Sequence, residues 1–345
     1  MKTKKVLNGN MLALLVLAGM MVGLAAPATA QTLLSIGHWT FDDPAGSTSA
    51  ADSSGTNNGI CGSSLYPIGS NASRNLYCPA FGIAGRVGTA ADFSGTNQGL
   101  RVNNTIPNSF TVTAWFKTTA TGTGGVGSAA YSGRGIIWSD KSGGASDMIP
   151  MSLTADRIAF GTGGNGGVGY NTLTSTVPVN TGEWVCAAVT RDMTTGAKQL
   201  YINGQLDGSN TAGGTGSLDA NPYIVFGANP LDYRYFDGEI DNIYFYDRVL
   251  RGGDPGTLPT ARHCADAGGP YLVAVGEDVT FDGSGSTGGG EDPLTEAWSA
   301  NGGIISGSTF TAESTPGIYE VSLVVSDGAF DSEPDTTTVV VYDPS

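Results

Sequence analysis

The sequence contains very little histidine, and this scarcity argues against the commonest hydrolytic chemistry. His38 and His263 are the two histidines among 345 residues. A Ser-His-Asp triad needs a histidine held by a carboxylate, and no spacing around either residue indicates one. We interpret His38, beside Trp39 in the first predicted strand, as a packing residue and place His263 in a linker. No glycine-rich loop opens a helix, which argues against a phosphate-cradling site.

Positive charge is also scarce. Lysine and arginine together number 16 against 31 aspartates and glutamates, which gives a formal net charge of −15. A chain this acidic repels DNA, RNA and anionic lipid, and we expect no nucleic-acid partner. The acidic side chains could hold divalent cations, or they could form a solvated surface that aids solubility.

Long apolar runs are absent after the N-terminus. One such run covers residues 11–26, follows a basic start and precedes the small residues Ala28 and Ala30. This pattern predicts a secretory signal cut after Ala30, whereas the alternative, a membrane anchor, would need a longer span. We therefore expect a secreted, extracellular or cell-surface protein without membrane insertion. Removing the signal takes away three lysines and no acids, which changes the net charge from −15 to −18.

Cysteine occurs four times, at Cys61, Cys78, Cys186 and Cys264. Export makes disulfides plausible, and Cys61 and Cys78 flank one Gly/Ser/Asn-rich stretch, which predicts a bond across that loop. Cys186 and Cys264 would then form a second pair, although Cys186 lies in an apolar strand and could be a buried free thiol. No CxxC spacing exists, which argues against zinc.

The composition favours strands over helices. Charged residues make up 14% of the chain while glycine fills 53 positions, a balance that suits strands joined by tight turns. Residues 110–117 alternate between two faces with the strand period, and residues 184–190 are apolar on both faces. Asn203-Gly204 between two strand-like runs predicts a hairpin with a type I′ turn. Further strands are predicted at residues 224–226 and 240–246.

The chain divides into two strand-rich regions. A Gly/Pro-rich cluster begins near Arg251, and a second composition begins near Cys264. We predict a signal peptide at 1–30, a large sandwich at 31–252, a linker at 253–263 and a small sandwich at 264–345. The predicted strands of the small sandwich are residues 271–275, 278–281, 294–299, 304–310, 317–325 and 336–342. We recognise no sorting signal near Ser345, which leaves open that the chain is a piece of a longer surface protein.

Several segments of the first region occur in the order found in a known family. They lie at residues 38–43, 51–59, 85–95, 110–116, 182–190, 200–204 and 236–250, and include Leu200-Tyr-Ile-Asn-Gly204. Together they resemble the laminin-G-like jelly-roll family of the concanavalin A superfamily. The resemblance implies two stacked, curved antiparallel sheets, and the predicted fold class is all-β: a large concanavalin A-like jelly roll plus a small immunoglobulin-like sandwich.

The last 80 or so residues resemble a polycystic kidney disease (PKD) module. The resemblance rests on residues 267–271, 276–286, Trp298, 316–319 and 321–328. The family usually continues after its tryptophan with an Asp-Phe-Gly-Asp-like turn, whereas here Trp298 leads into Ser-Ala-Asn-Gly-Gly303. Any role attached to that turn therefore does not carry over. Such modules generally act as spacers or adhesive units.

The jelly-roll resemblance also implies a calcium site. It assigns the ion to Asp43, Asp52 and Asp241, with a carbonyl from Asn58 or Asn57, because the first and last strands of the family fold lie side by side. Ca²⁺ takes six to eight such oxygens. Asp241 alternates with apolar residues on one strand face, where a carboxylate is costly unless paired or coordinated. The alternatives are that Asp241 accepts backbone N–H bonds and that Asp52 holds an Asx turn. The ion would be structural.

A glycoside hydrolase is the enzyme alternative. Some sandwiches of the superfamily carry Glu-x-Asp-x-x-Glu on one strand, with both glutamates in the cleft. Here Glu239 and Asp241 are followed by Tyr244, and the second glutamate is missing. We therefore expect no enzyme, but a binding or adhesion protein for a glycan or an extracellular protein; a purely structural matrix component is the other alternative. For the aromatic candidates Trp138, Tyr170, Tyr233 and Tyr235, packing is the simpler interpretation than ligand contact.

Overall fold

The computed structural model describes most of the chain after residue 34. The described residues are 35–62, 64–68, 72–140, 146–163, 171–218, 221–250, 265–286, 294–301, 303–312, 315–326, 332 and 334–344. The predicted signal peptide, the predicted linker and Cys264 lie outside them. Within the described part, no helix combines the length and hydropathy that crossing a bilayer requires.

Short strands dominate this part of the chain, as the glycine-rich composition predicts. In the first region they are β1 (Gly37–Trp39), β2 (Ser49–Ala50), β3 (Gly59–Ile60), β4 (Ser64–Ile68), β5 (Ala72–Asn75), β6 (Ala80–Ala84), β7 (Thr89–Ser94), β8 (Leu100–Asn103), β9 (Phe110–Lys117), β10 (Arg134–Ser139), β11 (Met148–Thr154), β12 (Arg157–Thr162), β13 (Asn171–Thr174), β14 (Trp184–Asp192), β15 (Ala197–Ile202), β16 (Gln205–Asn210), β17 (Tyr223–Phe226), β18 (Ala228–Asn229), β19 (Arg234–Tyr235) and β20 (Asp237–Tyr246), with a 3₁₀ turn at Ala130–Ser132. The second region contains β21 (Tyr271–Ala274), β22 (Asp278–Thr280), β23 (Thr295–Ala300), β24 (Gly303–Ser306), β25 (Thr309–Ala312), β26 (Gly317–Ser326) and β27 (Asp335–Tyr342).

Two large sheets form the first region. The front sheet has the order β16-β15-β14-β9-β20-β7-β6, and β1 also pairs with β20. The back sheet has the order β13-β12-β11-β10-β17-β8-β3-β2. The alternation predicted for residues 110–117 is confirmed, because Phe110, Val112 and Phe116 lie in the core between the sheets. The first and last strands are neighbours as expected, with His38 opposite Tyr244.

Aromatic side chains join the two sheets. Trp39 of the front sheet is fully buried, and its ring centroid lies 5.0 Å from that of Phe226 in the back sheet and 4.8 Å from that of Phe245. Edge-to-face contacts of this kind add to the free energy gained by burying the rings. The indole N–H of Trp39 donates to the carbonyl of Asn57, so its polar atom is satisfied.

The Asn203-Gly204 hairpin is confirmed. Asn203 has φ of 49° and Gly204 φ of 76°, and β15 pairs antiparallel with β16 across this turn. A type I′ turn requires positive φ at both central residues, which Asn and Gly adopt at low cost. This turn fixes the register of the two strands that carry the groove described below.

The second region forms two smaller sheets, β21-β27-β26-β23 and β22-β25-β24. Phe281 packs between Trp298 and Phe310, with ring centroids 5.1 Å and 5.7 Å away. The single strand predicted at 304–310 is wrong: the chain turns at Gly307, which has φ of 63°, and β24 pairs back on β25. The apolar residues on both sides of this turn concealed it. The resemblance to a PKD module, like the domain boundaries, stays a prediction.

Cys61 and Cys78 form the predicted disulfide, closing a separation of 17 residues. Cys186 is also disulfide-bonded, and Cys264, its predicted partner, lies outside the described residues.

We expect the Cys61→Ala/Cys78→Ala double variant to lose about 3 kcal/mol of unfolding free energy, because opening the loop frees the unfolded chain. Urea denaturation of the oxidised wild type and the variant measures the difference. A change below about 0.5 kcal/mol would show that the loop contributes little to stability.

Candidate functional site

The oxygens of the residues predicted to bind calcium already accept hydrogen bonds. Asp52 Oδ1 accepts the N–H groups of His38, at 3.1 Å, and Ser54, at 3.0 Å, and also the Ser54 hydroxyl. Its Oδ2 accepts the N–H of Asn57 at 3.1 Å. Burial raises the pKa of Asp52, but these bonds outweigh burial and hold the pKa below its usual value. This is the Asx-turn alternative that the sequence left open.

Asp241 is fully buried and is held by backbone N–H groups. Its Oδ2 accepts from Arg86 at 2.8 Å and from Val87 at 2.9 Å, and its Oδ1 accepts from the Asn242 amide at 3.2 Å. Burial raises the pKa of Asp241 well above its usual value, and nearby Asp42 adds to the rise. Asp241 therefore matches the alternative stated from the sequence, in which its carboxylate accepts hydrogen bonds from backbone N–H groups.

The other two predicted ligands are similarly engaged. Asp43 accepts the N–H of Ala51 with both oxygens, and burial raises its pKa. Asn58 Oδ1 accepts the N–H of Asp52 at 3.0 Å. Among the described residues, no group of three or more His, Cys, Asp or Glu side chains is placed to hold a metal ion. As arranged, the predicted set therefore does not fit calcium, since binding would break the hydrogen bonds; calcium stays an untested prediction.

His38 contacts both segments that the calcium hypothesis placed together, one near the start of the jelly roll and one in β20. Its Nε2 lies 3.0 Å from Asn242 Oδ1, its Nδ1 lies 2.9 Å from Ser53 Oγ, and its ring stacks on Tyr244 at a centroid distance of 3.8 Å. Burial lowers the pKa of His38 below its usual value. The sequence predicted a packing role for His38, and its stacking on Tyr244 agrees with that prediction. The two hydrogen bonds of the imidazole ring were not predicted.

The outer face of the front sheet carries two parallel rows of side chains on β14, β15 and β16. One row is polar: Thr190 is opposite Gln199, which is opposite Ser209. The next row is apolar: Ala188 is opposite Tyr201, which is opposite Leu206. Leu200 and Val189 of the same strands lie in the core, and side-chain alternation therefore places both rows on the outer surface.

Five of these six residues line an open groove of about 620 Å³, whereas Ala188 is 2% exposed and packs with Tyr246 and Leu250. Leu206 is 53% exposed and Ser209 is exposed at the rim, whereas Tyr201 is nearly buried at the base. The groove is lined by Thr190, Asp192, Thr195, Ala197, Lys198, Gln199, Tyr201, Leu206, Ser209, Asn210, Thr211 and Val249. A concave surface with hydroxyl and amide groups beside an apolar strip can hold a ligand that is itself polar at the edges and apolar on a face.

Residues 94–254 match the laminin-G-type family described as the concanavalin A-like lectin/glucanases superfamily. The fold is a concanavalin A-like jelly roll. No curated protein matches the sequence. Domain 4 of AbnA, an extracellular arabinanase from Geobacillus stearothermophilus solved with arabinotriose, is 21% identical with a TM-score of 0.45, covering 64% of this chain and 95% of its own.

Two further solved structures resemble the chain. The Ruminococcus gnavus IT-sialidase CBM40, bound to α2,3-sialyllactose, is 14% identical with a TM-score of 0.38, covering 48% of this chain and 93% of that one. The binding domain of botulinum neurotoxin DC, in complex with rat synaptotagmin II, is 14% identical with a TM-score of 0.43, covering 86% of this chain and 72% of that one. The chain spans about half the length of other toxin binding domains that it resembles.

Glu239, the residue of the hydrolase alternative, also lies on the front sheet of the jelly roll. Its carboxylate is 3.3 Å from Lys117 Nζ, and Asp92 stands opposite it on β7. Burial, and then the charge of Glu239, raises the pKa of Asp92. A motif on one strand does not show this acid, because Asp92 lies on the neighbouring strand β7. Glu239 is the third residue of β20 and is partly buried, with Lys117 as its ion-pair partner.

The second region contacts the jelly roll through Arg86. The guanidinium Nη2 lies 2.8 Å from Asp266 Oδ1 and 2.9 Å from Asp335 Oδ2, and the group lies over the Trp115 ring. Asp335 is 4% exposed, and burial raises its pKa to about 6 despite the favourable charge of Arg86. An adjoining cavity of about 210 Å³ is lined by residues of both regions, including Tyr244 and Asp335. A spacer module that moved freely relative to the jelly roll would not form these contacts.

Three of the four aromatic residues considered from the sequence, Trp138, Tyr233 and Tyr235, do not line the groove. Trp138 is fully buried and Tyr235 is 7% exposed, so packing explains both. Tyr233 is 57% exposed, and Tyr170 lies outside the described residues. Tyr201 was missed because a tyrosine that alternates with core residues along a strand has the same sequence signature whether its face meets solvent or another layer.

Proposed function

We propose that the protein is an extracellular binding protein whose jelly roll holds a neutral oligosaccharide in the groove of β14, β15 and β16. The observation that carries the proposal is the pair of adjacent rows, Thr190–Gln199–Ser209 and Ala188–Tyr201–Leu206. A pyranose or furanose ring is hydroxylated at its edges and carries C–H groups on its faces. The polar row matches the edges, and the apolar row matches a face.

Charge favours a neutral sugar over an acidic one. Asp192 lines the groove, and the whole chain carries a formal charge of −15. Lys198 also lines it, but this side chain is fully buried and its ammonium donates to backbone carbonyls of Phe160 and Asn171. An anionic saccharide would meet a repulsive field, whereas a neutral one would exchange water hydrogen bonds for those of amides and hydroxyls.

The groove supports binding rather than hydrolysis. Asp192 is the one carboxylic acid among the described residues that line it. Glycosidases need two carboxyl groups across the bond, about 5 to 10 Å apart. Asp192 Oδ1 accepts the N–H of Thr194 at 2.8 Å and shapes the turn. The Cys61–Cys78 disulfide supports an oxidising, extracellular location.

We expect Gln199→Ala to weaken binding of a neutral oligosaccharide about tenfold, the equivalent of one lost hydrogen bond to a sugar hydroxyl. A glycan array first identifies the best ligand, with arabinotriose and α2,3-sialyllactose as neutral and anionic probes. Calorimetry then compares the variants. Gln205→Ala is the matched control, because it removes the same amide from an exposed residue of β16 outside the groove lining.

Equal affinity in wild type and Gln199→Ala would contradict the proposed site. Preferential binding of the sialylated probe would contradict the proposed ligand class. An array without any hits, together with self-assembly of the chain, would favour the structural alternative, and capture of one defined extracellular protein would favour a protein partner.

A further inference from the structure

His38 has a fixed tautomer. Asn242 Nδ2 donates to the Asp241 carboxyl group at 3.2 Å, which turns Asn242 Oδ1 toward His38 Nε2, 3.0 Å away. An amide oxygen only accepts hydrogen bonds, so Nε2 carries the proton of the neutral ring. Nδ1 is then an acceptor, and its partner at 2.9 Å is the hydroxyl of Ser53.

Neighbouring residues hold both the imidazole ring and the backbone of His38 in place. It stacks on Tyr244 with an interplanar angle of 14°, and the backbone N–H of His38 donates to Asp52 at 3.1 Å. Asn242 adopts φ of 43°, a backbone conformation that aims its side chain and that few residues other than Asn and Gly tolerate. Asn242 is therefore a residue suited to this backbone conformation, which directs its amide toward His38.

We propose that Ser53, His38 and Asn242 form an acyl-accepting site in which Ser53 is the nucleophile, His38 the base and Asn242 the residue that positions the base. Nucleophile, base and orienting group contact one another in the sequence that activates a nucleophile, here with Ser53 on Nδ1 and Asn242 on Nε2. Ser53 is exposed at a turn, and its single hydroxyl proton has two acceptors within reach, His38 Nδ1 at 2.9 Å and the His38 carbonyl at 3.0 Å.

The reaction class is acyl transfer from an ester that approaches from solvent. Ser53 Oγ attacks the ester carbonyl carbon while its proton passes to His38 Nδ1. The carbon–oxygen bond to the alcohol breaks, and His38 returns the proton to the departing alkoxide. Water then attacks the acyl-serine, which regenerates the hydroxyl and releases the acid. The activity goes beyond glycan binding and does not depend on the groove.

The probes are a fluorophosphonate, which forms a serine–phosphorus bond and releases fluoride and a proton, and p-nitrophenyl acetate. We expect the fluorophosphonate to label the wild type at Ser53, identified by peptide mass, and Ser53→Ala to lose the label. His38→Phe keeps a ring against Tyr244 and removes the base; we expect labelling about 100-fold slower. Ser54→Ala is the matched control, since Ser54 is the adjacent exposed serine and donates to Asp52 rather than to a histidine.

Asn242→Gly keeps the positive φ and removes the orienting amide, and we expect labelling to slow about tenfold. Asn242→Asp retains an acceptor for Nε2, and we expect it to restore the rate, which a purely structural role would not require. No labelling of the wild type, or equal labelling of wild type and Ser53→Ala, would overturn the proposal. Release of p-nitrophenol that is unchanged in Ser53→Ala would do the same. Far-UV circular dichroism and melting temperature confirm that each variant is folded.

Discussion

Replacing Arg191 by methionine is expected to lower the free energy of unfolding by about 4 kcal/mol. Arg191 is fully buried in β14, and its guanidinium donates to backbone carbonyls from two loops. Nε donates to Gly213 at 2.8 Å, Nη2 donates to Gly214 and Gly216 at 2.7 Å each, and Nη1 donates to Asn108. Burial lowers the pKa of Arg191 to about 10, which leaves it charged at neutral pH.

Methionine fills a similar volume but offers no donor. Four backbone carbonyls would then lose this donor, although Gly213 keeps the hydroxyl of Thr162. Each buried carbonyl left unsatisfied costs about 1–3 kcal/mol before the loops relax. Arg191 stands between Thr190 and Asp192, both of which line the groove, so the same variant should also weaken oligosaccharide binding.

Urea denaturation measures the effect, and Arg248→Met is the control. Arg248 is 47% exposed and pairs with Asp247 on the surface, where an ion pair contributes about 0–1 kcal/mol. If both variants lost the same small amount of unfolding free energy, the result would contradict a stabilising role for the buried guanidinium of Arg191.

Replacing Arg86 by methionine is expected to cost about 3–5 kcal/mol near neutral pH, because it leaves the buried carboxylate of Asp335 without its cation. Lys117→Met is the control, since Lys117 and Glu239 form an ion pair with side chains 37% and 25% exposed. In the Arg86→Met/Asp335→Asn double variant, we expect part of the loss to be recovered, because no buried charge remains.

The unfolding free energy lost in Arg86→Met should depend on pH, and the pKa of Asp335 determines the direction of that dependence. Burial raises the pKa of Asp335 to about 6, so the folded state binds this proton more tightly than the unfolded chain does. The stability that the group contributes is therefore present below its unfolded pKa and lost as the pH rises through about 6. Without Arg86 the pKa rises further, and the variant should differ from wild type less at about pH 5 than at about pH 8. A difference that grew toward acid would contradict the assignment.

The sequence predicted the strands of the jelly roll because their patterns are local. Residues 110–117 alternate along a single strand, and Asn203-Gly204 determines a turn by itself. The turn at Gly307 was missed because apolar residues continue on both sides of it. Pairing of the first and last strands followed from the family resemblance rather than from any local pattern.

The candidate site was harder to predict because its contacts join distant segments. Asp52 and Asp241 were correctly expected to need partners, but a sequence does not show whether a buried carboxylate meets a cation or backbone N–H groups. The groove depends on which residues of β14, β15 and β16 stand opposite one another, and Arg86 meets Asp335 across 249 residues of chain. Nothing in the local sequence of these residues indicates such register or distance.

The most direct test of the groove is backbone-amide chemical-shift mapping during titration with the best neutral oligosaccharide from the array. The account predicts shifts concentrated at Thr190, Gln199, Tyr201 and Ser209, with smaller changes on the back sheet. Saturable shifts confined to the back sheet or to the second region, with these four amides unmoved, would contradict it.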